Sequence, residues 1–327
     1  MKEVAERAGV AKSTVSRVLN GASASLETKR RVEAVVKQLN FRPNAQARGL
    51  SLRRSHLIGV VVPEIARPFY GEILAGIESA LAAEGYDMVL CSTNNSKGRE
   101  LILTKLLGGK RVDGLIVVTP RDISSGRIKQ LQNDRDFPVV LVDGSSARYS
   151  SVSVDSFAGA YAATEHLLRL GHRRVGLIAG LETEECRERV RGYTEALKKF
   201  GRPFDRDLLR PGDYLFESGG RAMAELLSLP EPPTAVFAAS DLMAIGALKT
   251  LEGRGLAVPG DIALVGFDDI EAARWTTPTL TTVRQPMRRL GELGGAKIIR
   301  LVTGREPELT RTRLGCELVI RESCGAK

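Results

Sequence analysis

Apolar residues near the N-terminus recur with the spacing of short amphipathic helices. Three groups are separated by Gly9 and by residues 21–25. The groups are Val4, Ala5 and Ala8; Val15, Val18 and Leu19; and Val32, Val35, Val36 and Leu39. Their i, i+3, i+4 pattern predicts three helices with one apolar face each. The tight connection over residues 8–11 gives the first two the proportions of a helix-turn-helix.

From Leu57 onward the pattern changes to short aliphatic runs that alternate with helical segments. The runs lie at residues 57–63, 86–93, 112–120, 138–144, 173–180, 234–240 and 261–269. Continuous Val, Ile and Leu strands followed by helices are typical of parallel sheets buried on both faces. The similar openings SHLIGVVVP and HRRVGLIAG predict two lobes of like topology. The sequence therefore predicts an α/β protein with an all-α N-terminal head, and ligands bind such folds at the strand ends.

The positive charge is concentrated in the predicted head. Residues 1–57 contain four lysines and eight arginines against four glutamates, a formal charge of +8, so the other 270 residues contribute only +1 of the total +9. A small basic segment joined to a nearly neutral body is typical of a nucleic-acid-binding module. A solvated basic tail would lack the apolar periodicity seen here.

The polar face of the second predicted helix has the side chains that read DNA. Opposite its apolar stripe lie Lys12, Ser13, Ser16, Arg17 and Asn20, with Thr14 at the margin. These groups hydrogen-bond base edges and phosphates. A helix that faces only solvent is more often rich in Glu and Lys, and this face has no carboxylate.

Several other classes of protein are not expected. No apolar run approaches 18 residues and no secretion signal precedes the head, so we expect a cytoplasmic protein without membrane attachment. The four cysteines and three histidines lack metal-ligand spacing. The chain also has neither a P-loop nor a G-x-S-x-G motif. We therefore expect no metal, no cofactor and no enzymatic activity.

The strings VAERAGVAKSTVSRVLNG and TKRRVEAVVKQLNFRPNAQARGL closely resemble the DNA-binding head of the LacI/GalR (lactose-repressor) family. By this resemblance Lys12, Ser13 and Arg17 read bases, and Thr14, Ser16 and Asn20 contact the DNA backbone. Ala11 stands where the family usually has Ser, and losing a capping hydroxyl costs about 1 kcal/mol. The resemblance divides the chain into a helix-turn-helix domain (1–42), a hinge helix and linker (43–56), and an effector-binding and dimerisation domain (57–327).

The segment RPNAQARGL resembles the family's hinge, a short helix that forms when two subunits meet over the operator. Asn44 lies in this hinge and is expected to contact the DNA. Leu50 stands where the family inserts a leucine into the minor groove as a wedge. Gly49 replaces the usual Ser and costs a helix about 0.5–1 kcal/mol. The resemblance thus implies a homodimer on a near-palindromic double-stranded operator.

The body resembles the family's two-lobed domain, which is similar in fold to periplasmic sugar-binding proteins with doubly wound parallel sheets. Three chain crossings near residues 155, 285 and 314 would assign 57–155 and 286–313 to one lobe. The other lobe would contain 156–285 and 314–327. By the same analogy a small-molecule effector binds between the lobes. Its contacts would come from Phe69, Tyr70, Asp143, Arg189, Tyr214 and Asp268, and from Arg67 and Ser240 at two positions where the family usually has asparagine.

Arg67 bears on the class of effector. Because Arg67 is expected to face Arg189 across the cleft, we predict an anionic effector, such as a sugar acid or sugar phosphate, over a neutral sugar. Otherwise Asp143, Asp268 or another carboxylate already supplies the negative charge. If Arg67 points to solvent, a neutral sugar is the alternative. The only tryptophan, Trp275, follows Asp268 by seven residues and is expected to report on closure of the cleft.

The functional expectation is a repressor of transcription. An activator or dual regulator of the same family is the first alternative. A solute-binding protein would share the body, but it would need an export signal in place of the basic head.

Overall fold

The computed structural model describes residues 1–19, 23–41, 54–94, 111–118, 137–305 and 309–326. The chain divides into two compact units, residues 1–56 and a second unit that contains nearly all of the residues from Leu57 onward. In the described part, no helix has both the length and the apolar character needed to cross a membrane.

The described residues of the N-terminal unit form three helices, as the apolar pattern predicts. They are α1 (Lys2–Ala8), α2 (Lys12–Leu19) and α3 (Leu26–Gln38). Gly9 ends α1 with a φ of 64°, a conformation that glycine adopts without steric cost. Ser25 caps α3 by accepting a 3.2 Å hydrogen bond from the Thr28 amide. The apolar faces meet in one small core formed by Val4, Ala5, Ala8, Val15, Val18 and Val32.

The second unit contains two sheets of six described strands each. The first sheet has the order β11-β5-β4-β3-β1-β2, and all of its pairings are parallel. Its strands are β1 (Leu57–Val62), β2 (Asp87–Ser92), β3 (Gly114–Val118), β4 (Val139–Val142), β5 (Ser150–Val154) and β11 (Arg311–Leu314). In the register of the central strands, Val60 pairs with Leu90 on one side and Ile116 on the other.

The second sheet has the order β12-β10-β9-β8-β6-β7. Its strands are β6 (Val175–Ala179), β7 (Leu209–Pro211), β8 (Ala235–Ala238), β9 (Ala263–Asp268), β10 (Thr281–Arg284) and β12 (Glu317–Val319). Only β12 pairs antiparallel, with β10, among the described strands. The chain passes from the first sheet to the second after β5, returns after β10, and passes again between β11 and β12.

Helices cover the sheets and bury their aliphatic residues. Helices α4 (Pro68–Ala82) and α9 (Met287–Val302) pack on the first sheet. Helices α5 (Ser156–Arg169) and α6 (Glu184–Lys199) pack on one face of the second sheet. Helices α7 (Phe216–Leu227) and α8 (Asp241–Gly253) pack on its other face. Within each sheet the parallel strands end at the same edge. The helices that follow these strands begin at that edge.

Candidate functional sites

The polar face of α2 is exposed and its apolar face is buried. Lys12, Ser13 and Arg17 are exposed, and Thr14 and Ser16 are half-buried. On the opposite face, Val15 and Val18 lie in the core of the head. The first turn contains no acidic residue and Arg17 lies in the last turn, so the exposed face is basic. Asn20, Asn44 and Leu50 lie outside the described residues.

A cavity of about 510 Å³, partly open to solvent, lies where the strand ends of the two sheets meet. All eight residues predicted to contact an effector line it: Arg67, Phe69, Tyr70, Asp143, Arg189, Tyr214, Ser240 and Asp268. The structure adds Pro68, Thr183, Glu185, Leu242 and Ile270.

Arg189 lies on α6 and is the central cation of the cavity. Its guanidinium carbon lies 3.9 Å from the centroid of the Phe267 ring and 5.8 Å from that of Tyr214. Its Nη1 donates a 2.6 Å hydrogen bond to the Ala239 carbonyl, while its buried Nε has no hydrogen-bond partner in the described part of the chain. Stacking and one hydrogen bond fix the plane of the guanidinium, and its Nε donor stays unused among the described residues.

Asp268 ends β9 and presents a carboxylate near Arg189. Its φ of 131° is strained for a residue other than glycine, and Asp269 follows with a φ of 58°. Gln285 donates a 2.6 Å hydrogen bond to the Asp268 Oδ1. Burial raises the pKa of Asp268 well above its ordinary value, and the positive charge of Arg189 opposes this shift.

Asp269 anchors the turn that aims Asp268 into the cavity. Its buried carboxylate pairs with Arg321, with Arg284 at 2.7 Å and with Arg274 at 3.8 Å. These arginines come from three different segments of the second lobe. Their contacts stabilise the two consecutive residues with positive φ.

Arg67 is buried in the cavity wall, with only 8% of its surface exposed. Its Nε pairs with Glu64 at 3.0 Å, and its Nη2 donates to the Asp213 carbonyl at 3.3 Å. The alternative that Arg67 points to solvent is therefore wrong. Of the two explanations for a buried arginine, the structure favours a nearby carboxylate, because Glu64 already neutralises the guanidinium.

The other predicted contacts are held by local structure. Phe69 and Tyr70 meet edge to face with ring centroids 5.2 Å apart. Tyr214 has a φ of 69° and its ring lies against Gly180, where a Cβ atom would collide with it. Ser240 caps α8 by accepting a 3.3 Å hydrogen bond from the Met243 amide.

Glu185 is the charged cavity residue that the sequence interpretation missed. It is only 9% exposed, and its Oε2 has no hydrogen-bond partner among the described residues. Burial and the negative charge of Asp143 raise its pKa to about 8. Glu185 precedes Arg189 by four residues, and this spacing places both on one face of a helix. That spacing is a signal in the sequence that would have identified it.

Trp275 does not contribute to the cavity. Its side chain is 71% exposed and lies outside the cavity lining. That its fluorescence reports on closure of the cleft stays a prediction.

Two family models match the chain. One, for bacterial regulatory proteins of the lacI family, matches residues 1–44, and the other, for a periplasmic binding protein-like domain, matches residues 164–324. The transcriptional repressor PurR of Proteus mirabilis (strain HI4320) is 35% identical over 95% of this chain and 92% of its own length.

Solved structures agree over nearly the whole length. The lac repressor dimer bound to operator and the anti-inducer ONPF superposes with a TM-score of 0.87 at 32% identity, covering 99% of this chain and 98% of that one. The transcriptional regulator CelR in complex with cellobiose gives a TM-score of 0.77 at 36% identity, covering 98% of both chains. These relatives are transcription regulators rather than enzymes. The chain belongs to the lacI family of bacterial regulatory proteins, as a DNA-binding transcriptional repressor built from a helix-turn-helix head and a two-lobed periplasmic-binding-protein-like domain.

Proposed function

We propose that this repressor binds its operator as a homodimer in the cytoplasm and that a small sugar-like effector in the cavity controls its affinity for DNA. One observation carries the proposal. A basic helix-turn-helix is joined to a second unit whose two sheets enclose a cavity with charged and aromatic walls. One part of the chain is suited to DNA and the other to a small polar ligand.

On DNA, α2 lies in the major groove of each half-site. Lys12, Ser13 and Arg17 contact base edges, and Thr14, Ser16 and Asn20 contact the phosphate backbone. The exposure of Lys12, Ser13 and Arg17 supports this assignment. The hinge residues act at the centre of the site, where Leu50 from each subunit wedges the minor groove and Asn44 contacts the DNA. A two-fold dimer requires a near-palindromic operator.

In the cavity, Arg189 and Asp268 bind neighbouring hydroxyl groups of the effector from two sides. The aromatic rings of Phe69, Tyr70 and Tyr214 pack on its apolar faces, and Asp143 and Ser240 add polar contacts. CelR, which has a similar fold, was solved with cellobiose. Because Glu64 already pairs with Arg67, the cavity has no need of an anionic ligand, and a sugar acid or sugar phosphate is disfavoured.

Selection of binding sites from random DNA with the full-length protein tests the DNA half of this proposal. We expect the enriched sequences to share an inverted repeat. A thermal-shift screen of sugars then identifies effectors, because a bound ligand adds stability as it saturates the site. Any sugar that stabilises the protein should also change the affinity for the enriched DNA. Enrichment without a repeat, or stabilising sugars that leave DNA binding unchanged, would contradict the proposal.

A further inference from the structure

Glu185 differs from the other acidic residues around the start of α6. Glu182 pairs with Arg187 at 2.9 Å, and Glu184 accepts a 3.2 Å hydrogen bond from the Ser145 hydroxyl. Glu188 pairs with Arg191 at 2.9 Å and with Arg313 at 3.3 Å. Within the described part of the chain, Glu185 forms no ion pair. It is also the buried member of the group, and its side chain lines the cavity.

A buried carboxyl oxygen without a hydrogen-bond partner destabilises the folded state. Such an oxygen is more readily explained in the wall of a ligand site than in a protein core. Thr183 contributes a hydrogen bond to the Glu185 carboxyl group, but the Oε2 atom stays without a partner among the described residues. Arg67 pairs with Glu64, and Arg189, whose positive charge lowers the pKa of Glu185, forms no ion pair with it among the described residues. The Oε2 atom can therefore take a partner from outside the chain, and a positive or hydrogen-donating group is the partner that suits the ionised carboxylate.

We infer that the effector carries a protonated amino group that binds the Glu185 carboxylate. This inference rests on the proposed sugar-like effector and narrows it to an amino sugar. The hydroxyl groups of such a ligand suit Arg189 and Asp268, and its ammonium group suits Glu185, four residues before Arg189 on the same helix face. An ammonium group donates up to three hydrogen bonds and accepts none, which matches an orphaned carboxylate oxygen.

Proton linkage follows from the titratable and charged groups around Glu185. They are Asp143 after β4, Tyr214 before α7, and Arg187 and Arg189 on α6, with Arg67 and Asp268 elsewhere in the cavity wall. In the empty protein Glu185 holds its proton up to about pH 8. An ammonium group binds the ionised form, so this proton is released on binding. The affinity for an amino sugar therefore increases from pH 6 to pH 7, whereas a neutral sugar that accepts a hydrogen bond from protonated Glu185 shows no increase.

Calorimetric titration of the full-length protein tests the inference. The probes are hexoses with one amino group at carbon 2, 3, 4 or 6, each compared with its parent hexose. At least one amino hexose should bind about 10- to 100-fold more tightly than its parent, the range for a charge-assisted hydrogen bond. Glu185→Gln should remove this preference and the increase in affinity with pH. Glu184→Gln is the matched control, because Glu184 is exposed and outside the cavity lining, and it should retain both.

Two results would overturn the inference: no amino hexose binds more tightly than its parent, or the preference survives in Glu185→Gln. Operator binding measured in the same samples keeps the proposed function separate. If an amino hexose binds through Glu185 without changing the affinity for DNA, the amine inference stands and effector control of DNA binding is wrong. If a parent hexose controls DNA binding and the amino hexoses do not bind more tightly, effector control of DNA binding stands and the amine inference is wrong.

Discussion

At the scale of single residues, the sequence predicts which positions line the cavity. It does not predict how their charged side chains are paired. Arg189 and Asp268 were assigned from the motifs around them, and both line the cavity. Arg67 was assigned as well, but its pairing with Glu64 depends on the side-chain geometry of a turn, which no pattern of residue types specifies. Glu185 lies one helical turn before Arg189 and outside the motif RVRGY, so the resemblance does not include it. The roles of these residues toward a ligand stay predictions.

The raised pKa of Glu185 predicts a specific dependence of stability on pH. Because the folded protein holds this proton up to about pH 8 and the unfolded chain loses it near the ordinary value of 4.5, the folded state binds more protons between these limits. The free energy of unfolding contributed by this group therefore falls as pH rises from about 5 to 8. Glu185→Gln should remove that decline, so the variant gains stability relative to the parent protein at pH 8 and much less at pH 5.

Urea unfolding of the ligand-free protein at both pH values measures the effect. The difference in unfolding free energy between variant and parent should be larger at pH 8 than at pH 5. Glu184→Gln serves as the control and should show a difference that does not change with pH. An equal difference for Glu185→Gln at both pH values would show that the carboxyl group does not keep its proton in the folded state.

At the scale of helices and strands, the sequence predicted the elements whose burial is uniform. Each of the seven aliphatic runs contains a strand, and the three apolar stripes of the head are helices. Five described strands lie outside these runs, and two of them, β5 and β10, have the sequences SSVSV and TTVR, which are rich in hydroxyl groups and yet are mostly buried. Hydrogen bonds with distant residues allow this burial: Thr282 donates to Asp241 at 2.5 Å, and Ser150 accepts from the Thr310 amide at 3.1 Å. Such partners are not visible in a local pattern.

The close contact between α4 and α9 depends on glycine. A Cβ atom at Gly76 would collide with the Arg288 carbonyl oxygen and approach the Glu292 amide, both backbone groups of α9. Gly76→Ala should therefore lower the free energy of unfolding by roughly 1–3 kcal/mol, the usual cost of overpacking. Gly71→Ala is the matched control on the same helix, since nothing lies within 4 Å of its added Cβ. It should stabilise the protein by up to about 1 kcal/mol, because alanine favours helix more than glycine does.

Chemical denaturation of both variants compares the two glycines directly. A destabilised Gly76→Ala beside a neutral or stabilised Gly71→Ala would confirm that the helix contact, and not helix propensity, dictates glycine at position 76. Equal changes in the two variants would show that α4 and α9 are too far apart for an added methyl group at position 76 to matter.

At the scale of the whole molecule, charge and apolar periodicity together predict a DNA-binding head and a separate α/β body. The basic head and the nearly neutral body differ in composition, so their separation is visible in the amino-acid sequence itself. The family membership, the helix-turn-helix and the two parallel-sheet lobes are confirmed by the relatives and the fold. The order of strands within each sheet was not predicted, because a short aliphatic run carries no information about which strand lies beside it. The identity of the effector depends on the arrangement of side chains drawn from several separate segments.

The most direct test of DNA reading by α2 is competition between a selected operator and random DNA for the full-length protein, measured by fluorescence anisotropy at one fixed salt concentration. The parent protein should bind the operator more tightly by about 10³-fold or more. Arg17→Ala should weaken operator binding by about 1–3 kcal/mol and leave random DNA much less affected, since a base contact is lost. Arg30 is an exposed arginine of α3. Arg30→Ala should weaken binding to the operator and to random DNA equally, or change neither affinity. Equal loss on operator and random DNA in Arg17→Ala would contradict the assignment of α2 as the helix that reads the operator.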